Sequence, residues 1–187
     1  MILASASPRR QELLQQIGIE FQVIPSHCEE IMDSKMKPDE LVMKNALLKA
    51  RDVARQSLAL DVVLGADTVV AIDQKIFGKP VDAAQAKYML SMLAGNCHDV
   101  YTGLALVYNG KAYCDFAKTT VKFLPMSEAE IADYVATGEP LDKAGAYGIQ
   151  GQAALYVEDI QGCYFNIVGL PLSLLKKMAD KAGIKLK

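Results

Sequence analysis

Two kinds of side chain stand out for the chemistry they could do together: acids able to hold a divalent cation, and separated cations able to hold phosphate. Asp67 lies in the apolar run Val62-Val63-Leu64-Gly65-Ala66-Asp67-Thr68-Val69-Val70. A carboxylate in such a run is costly unless it is paired or metal-bound. Valines on both sides favour a functional acid; the alternative is an Asp at a strand end, capping a helix or pairing with an arginine. Strand alternation sends Asp67 and Thr68 to opposite faces. Glu29-Glu30, in a polar segment, could join Asp67 in an oxygen-ligand site suited to magnesium, or form a solvated acidic pair.

The cations are dispersed. Ser5-Ala6-Ser7-Pro8-Arg9-Arg10 reads as a small-residue turn between a strand and a helix. Such a turn offers free backbone N–H groups and the positive end of a helix dipole. The serine hydroxyls and the planar arginine forks add donors that suit phosphate. A capped surface helix with two solvated arginines fits the same residues. Lys49 shares a helical face with Val42, Ala46 and Val53, so it must reach an anion or snorkel to water. Lys79, between Gly78 and Pro80, sits on a constrained loop that either contacts phosphate or is a surface turn. No GxxxxGK[ST] sequence occurs. In the stretch from Glu139 to Gly151, glycines permit close backbone approach and Gln150 can read a base edge; a structural loop is the other reading. Scattered cations, metal-competent acids and an amide reader match phosphoanhydride cleavage, in which charge neutralisation and positioning dominate.

Composition narrows the classes. The formal net charge of -2 argues against bulk electrostatic binding of nucleic acid polymers or an anionic membrane. Any anion site must therefore be built from local cations. Cys28, Cys97, Cys114 and Cys163 form no CxxC pair and no zinc spacing, which reads as structural thiols in a reducing compartment. The apolar start Met1-Ile2-Leu3-Ala4 is too short for a signal peptide, and no run reaches transmembrane length, so the cytoplasm is expected.

The elements that must position these residues follow from period and punctuation. Ile2-Leu3 is a short strand. Ser7 is a helix N-cap with Pro8 at the first helical position, and Leu13, Leu14 and Ile17 form a stripe ended by Gly18. Phe21 to Ile24 is a strand, Ser26 to Lys37 is irregular, and Pro38 opens a helix to about Ser57. Asp61 to Ile72 is a buried central strand, turning at Asp73-Gln74 into Ile76-Phe77. Ala83 to Leu93 is helical. Val100 to Tyr108 and Ala112 to Phe123 are strands joined by Asn109-Gly110, a strong hairpin signal. Ser127 to Val135 is a helix with a Ser127–Glu130 capping box. Ala153 to Val157 reads as a strand and Leu172 to Ala182 as a closing helix. Strands alternating with helices, plus a hairpin, predict an α/β fold with a mixed sheet flanked by helices, in one compact unit over residues 1–187.

Read together, Leu3-Ala4-Ser5-Ala6-Ser7-Pro8-Arg9-Arg10, Lys49-Ala50, Gly65-Ala66-Asp67-Thr68, Gly78-Lys79-Pro80, His98 with Thr102, Asp142 to Gly151, and Val168-Gly169-Leu170-Pro171 resemble the Maf family of nucleoside triphosphate pyrophosphatases. The match runs in order over nearly the whole chain, and Asp142 to Gly151 is its most specific part. The resemblance implies an elongated mixed twisted sheet flanked by helices, with two lobes around a cleft. It implies Mg2+- or Mn2+-dependent release of pyrophosphate. Asp67 aligns with the family's essential acid, described as proton acceptor. Ser5, Arg9, Lys49 and Lys79 align with phosphate-binding positions, and Glu30 with an acid near the metal. Arg10, Thr68 and Gln150 occupy positions that separate subfamilies, and they resemble the branch acting on dTTP and UTP. A homodimer is a further implication. Ala94-Gly95-Asn96-Cys97-His98 departs from the usual Ser-Gly start.

The expected reaction is attack of water on the α-phosphorus, with Ser5, Arg9, Lys49 and Lys79 on the triphosphate and Glu30 and Asp67 on the metal. Rival readings are a broader enzyme for modified pyrimidine nucleotides and a nucleotide-binding regulator of cell division or septum formation.

Overall fold

The computed structural model describes residues 1–33 and 35–186. Ser34, within the stretch expected to be irregular, lies outside the described residues. The strands are β1 (Ile2–Leu3), β2 (Gln22–Val23), β3 (Val63–Ile72), β4 (Lys75–Phe77), β5 (Cys97–Tyr108), β6 (Lys111–Phe123) and β7 (Val157–Gln161). They form one seven-stranded sheet in the order β2-β1-β3-β5-β6-β7, with β4 beside β3. The sheet is mixed: β1 pairs in parallel with β2 and β3, whereas β3–β4 and β6–β7 are antiparallel. The helices are α1 (Pro8–Gln16), α2 (Pro38–Ala54), α3 (Ala83–Leu93), α4 (Glu128–Ala136), α5 (Tyr164–Val168) and α6 (Leu172–Lys181). The α/β class and mixed sheet expected from the sequence are both present.

Local chemistry accounts for most boundaries. Pro8 and Pro38 open α1 and α2, where the missing N–H costs nothing. Asp39 and Glu40 in the first turn of α2, and Arg51 in its last, complement the helix dipole. Asp82 caps α3 by accepting from the Gln85 N–H at 2.7 Å, and the Ser127–Glu130 capping box starts α4. Asp73-Gln74 and Asn109-Gly110 have positive φ at both positions (46° and 65°, 47° and 74°). That is the mirror-image turn whose twist matches paired strands.

Two expectations need correction, and one element was not expected. Ser7 holds the N-cap position of α1, but its side chain makes no capping bond; its N–H donates to Ser5 Oγ instead, at 3.3 Å. Ala153 to Val157 is not a strand. Residues Gln152–Tyr156 form a 3-10 turn, burying Ala153 and exposing Leu155, and the strand follows as Val157–Gln161 against β6. Two charges within Val-Glu-Asp-Ile-Gln hide the apolar alternation of this strand. Helix α5, five residues long, carries too short a pattern to be read from the sequence.

The chain divides into two compact units: residues 1–67, 102–117 and 169–187, and residues 68–101 and 118–168. Three of the four divisions fall inside β3, β5 and β6, and the fourth follows α5. In the first unit Ile2, Ala4, Ala46, Ala50, Val53, Val63 and Ala105 form an apolar cluster. In the second, α3 and α4 cover a core that includes Leu90, Leu93, Val121 and Phe123. His98, 2% exposed, lies in that core. Its ring meets Phe123 and Tyr147 edge-on at 5.0 and 5.3 Å, and its Nε2 shares a 2.8 Å hydrogen bond with the Tyr147 hydroxyl. Its Nδ1 has no partner among the described residues. Among the described residues no helix is long and apolar enough to cross a membrane.

Burial holds His98 neutral, lowering its pKa to about 4. The unfolded chain, with a pKa near 6.5, binds the proton more readily, so stability from this group is complete above about pH 6.5 and lost as pH falls toward 4. A shift of this size corresponds to about 3 kcal/mol. Urea unfolding at pH 7, 5.5 and 4 is expected to show that loss in the native chain, and a smaller slope in His98→Gln.

Candidate active site

All of the candidate acids, and all of the cations except Lys79, belong to the first unit, where α2 lies against β3. Two glycines permit that approach. A Cβ at Gly65 would stand 2.2 Å from the Ala46 carbonyl oxygen, and one at Gly103 would stand 2.5 Å from that of Val42. The helix backbone therefore lies on the sheet with no side chain between them, and residues on its inner face reach β3 directly.

Asp67 is 6% exposed, near the middle of β3. Lys49 donates to its Oδ1 at 2.7 Å, and the same ammonium lies 2.7 Å from Glu30 Oε1. Lys49 thus neither snorkels outward nor sits idle on its stripe; it holds two carboxylates at once. Asp67 is not a strand-end cap, and its direct cationic partner is a lysine. The second oxygen, Oδ2, accepts from the Asn45 amide at 3.2 Å. Asn45 was not among the residues singled out in the sequence. The signal for it was present: a polar amide on the buried stripe of α2, one turn before Lys49.

The turn before α1 supplies the next part. Arg10 donates through Nη1 to Ser5 Oγ at 2.9 Å and through Nε to the Gly169 carbonyl at 2.8 Å. This accounts for the Val168-Gly169-Leu170-Pro171 segment, which brings a carbonyl to the guanidinium. Burial lowers the Arg10 pKa; Asp67 acts in the opposite sense, then Arg9 in the same sense, and Glu30 opposes it. Arginine stays cationic throughout. The influences place Arg9, Arg10, Glu30 and Asp67 within one electrostatic neighbourhood. Ser5, 9% exposed, accepts from both Arg10 and the Ser7 N–H. With two acceptor sites engaged, what its hydroxyl has left to offer is a donor, which suits an anionic oxygen.

Three cations, Arg9, Arg10 and Lys49, share this neighbourhood with two carboxylates, Glu30 and Asp67, and these five groups together carry a net positive charge. Among the described residues no group of three or more His, Cys, Asp or Glu converges on a point. Glu30 and Asp67 do converge on the Lys49 ammonium, so their oxygens address one cationic position. Two hard carboxylates fit Mg2+ or Mn2+ in sites that phosphate and water complete, rather than in an all-protein cage.

Thr68, Lys79 and Gln150 belong to the second unit. Thr68 follows Asp67 along β3 and is half-buried, whereas Lys79 and Gln150 are exposed. The Gly145 N–H donates to the Gly78 carbonyl at 3.1 Å, tying the Lys79 loop to the loop that carries Gln150. Glu139 organises that second loop: its carboxylate accepts from the Tyr134 hydroxyl at 2.8 Å and from the Gln152 N–H at 3.2 Å.

A family model described as Maf-like protein matches residues 1–182. A dTTP/UTP pyrophosphatase of Gloeobacter violaceus is 53% identical over 175 residues, covering 94% of this chain and 92% of that protein. One of Bacillus cytotoxicus is 49% identical over 174 residues, covering 93% and 91%. The solved structure of the Staphylococcus aureus Ham1 protein shares the fold, with a TM-score of 0.51 at 14% identity over 97% of this chain and 98% of that one.

Gly65→Ala is expected to lose roughly 1–3 kcal/mol of stability, because the added methyl meets helix backbone rather than a movable side chain. Gly78→Ala, with nothing within 4 Å of its Cβ, is expected to stay within about 0.5 kcal/mol of the native chain. Parallel urea titrations of the two variants check the contrast.

Proposed function

We propose, for a chain that belongs to the Maf-like family, hydrolysis of dTTP and UTP to the nucleoside monophosphate and pyrophosphate. The observation that carries this reading is the pair of carboxylates, Glu30 and Asp67, sharing the Lys49 ammonium beside the Ser5–Arg10 turn. The high identity to relatives named dTTP/UTP pyrophosphatase supports the substrate class.

In this reading Ser5, Arg9 and Lys49 receive the triphosphate oxygens, Arg10 belongs with the positions that separate subfamilies, and Asp67 helps deprotonate the attacking water. Glu30 and Asp67 are the residues that would hold Mg2+ or Mn2+, whose chemistry when bound is neutralisation of phosphate charge and acidification of water. Water adds to the α-phosphorus, the α–β bridging bond breaks, and pyrophosphate leaves with the bond's electron pair. Positive side chains at the cradle stabilise that developing charge more in the transition state than in the ground state. Thr68, Lys79 and Gln150 are assigned substrate contacts on the family resemblance, Lys79 to phosphate and the other two to selectivity. The same resemblance carries a homodimer, and modified pyrimidine nucleotides stay within the substrate class. The whole chain is read as one catalytic domain, acting in the cytoplasm. The cell-division regulator is not favoured, because the relatives carry an enzyme's name and a binding protein has no need of a buried acid.

Asp67→Asn is expected to lose about 10²–10⁴ in kcat while keeping its unfolding transition. The assay incubates native and variant chains with each nucleotide and Mg2+, and measures pyrophosphate and orthophosphate separately. Full turnover by a folded Asp67→Asn chain, or release of orthophosphate alone by the native one, would sink the reading.

A further inference from the structure

Glu30 lies in a stretch without regular secondary structure, residues 25–33. No strand ladder or helix fixes its place, so the position of its carboxylate depends on anchors from elsewhere. Those anchors come from α2. Asp52 accepts from the Ser26 hydroxyl at 2.7 Å and from the His27 N–H at 2.9 Å, and Ser26 Oγ accepts in turn from the Cys28 N–H at 3.2 Å. On the other side of Glu30, Asn45 grips the backbone of Ile31 twice. Its Oδ1 accepts from the Ile31 N–H at 2.8 Å, and its Nδ2 donates to the Ile31 carbonyl at 3.2 Å.

The same Nδ2 donates to Asp67 Oδ2 at 3.2 Å. This is the carboxylate oxygen that Lys49 leaves, since the ammonium takes Oδ1. Asp67 is therefore held at both oxygens by residues one turn apart on α2, which fixes the rotation of the carboxylate about its own bond. Asn45 is 3% exposed. A buried amide is costly unless its donors and acceptor are used, and here they are used on the two segments that carry the two acids. A loop anchor alone would not need to touch Asp67, and a partner for Asp67 alone would not need Ile31. An amide makes both connections without bringing a charge between the carboxylates.

We propose that Asn45 is a positioning residue that sets the Glu30–Asp67 pair in register, holding Asp67 directly and Glu30 through the backbone of Ile31. The assignment rests on the pyrophosphatase reading of that pair. Groups that orient ligating or reacting side chains from behind commonly matter about 10–100-fold in activity or metal affinity.

The test uses the full chain as native protein, Asn45→Ala and Asn45→Asp. Alanine removes every contact. Aspartate keeps the shape and the acceptor for the Ile31 N–H, but donates to neither the Ile31 carbonyl nor Asp67 and adds a negative charge beside Asp67. Thermal unfolding, kcat and KM for dTTP with Mg2+, and Mn2+ binding to the nucleotide-free protein by electron paramagnetic resonance are measured for each. Both variants are expected to lose about 10–100-fold in kcat, with KM for dTTP changed by less than about threefold and Mn2+ affinity reduced. Folded variants with native kcat and native Mn2+ affinity would overturn the proposal, even if their melting temperatures fall. So would an Asn45→Asp chain with native kcat beside an impaired Asn45→Ala chain, since Asn45 would then be a loop anchor only. Failure of both variants to fold would assign Asn45 to the fold and likewise overturn it. If the native chain itself released no pyrophosphate, the pyrophosphatase reading would fail instead, and the Mn2+ titrations would still report whether Asn45 sets the pair.

Discussion

One ammonium between two carboxylates is the interaction on which the site depends. Glu30 and Asp67 address the same point, and without a cation there their like charges would oppose each other. Lys49 answers that at 2.7 Å from each. Stability does not explain the arrangement. A largely buried ion pair gives back in attraction about what it costs in desolvation, and an apolar pair of similar size would serve a core as well. What the arrangement provides is a pair of acids aimed at one cationic position, which suits the metal and polyphosphate role proposed for it.

The rest of the first unit follows from that requirement. The ammonium reaches Asp67 because α2 lies close on β3 and β5, and it lies close because Gly65 and Gly103 leave no Cβ in the way. Arg10 shows a second use of rigidity. Held by Ser5 and by the Gly169 carbonyl, its guanidinium is fixed in one orientation. Ser5 and Arg10 thus form a preset donor group at the start of α1, where backbone N–H groups already favour negative charge.

In the second unit, order around the Gln150 loop comes from a half-buried acid and a buried aromatic cluster. Glu139 ties Tyr134 to the Gln152 backbone. Tyr147 packs with His98 and Phe123 at centroid distances of 5.3 and 4.7 Å. The most specific segment of the sequence thus has structural members, Tyr147 among them, as well as an exposed amide at Gln150. Burial also raises the Tyr147 pKa, so its hydroxyl stays protonated as part of the packing.

How much could be read in advance differs between residues. The apolar run around Asp67, the proline starts of α1 and α2, the Asn109-Gly110 turn and the Ser127 capping box are written in local patterns, because each rests on contacts a few residues apart. The sequence by itself also determined the family, through ordered motifs spread over nearly the whole chain. Only the tertiary structure decided that Lys49 holds Glu30 and Asp67 together, that Gly169 anchors Arg10 from 159 residues away, and that Asn45 joins the two acid-bearing segments. Those contacts depend on how a helix lies against a strand and on where an irregular loop is pinned. Residue type and spacing along the chain carry no record of either until the backbone has closed.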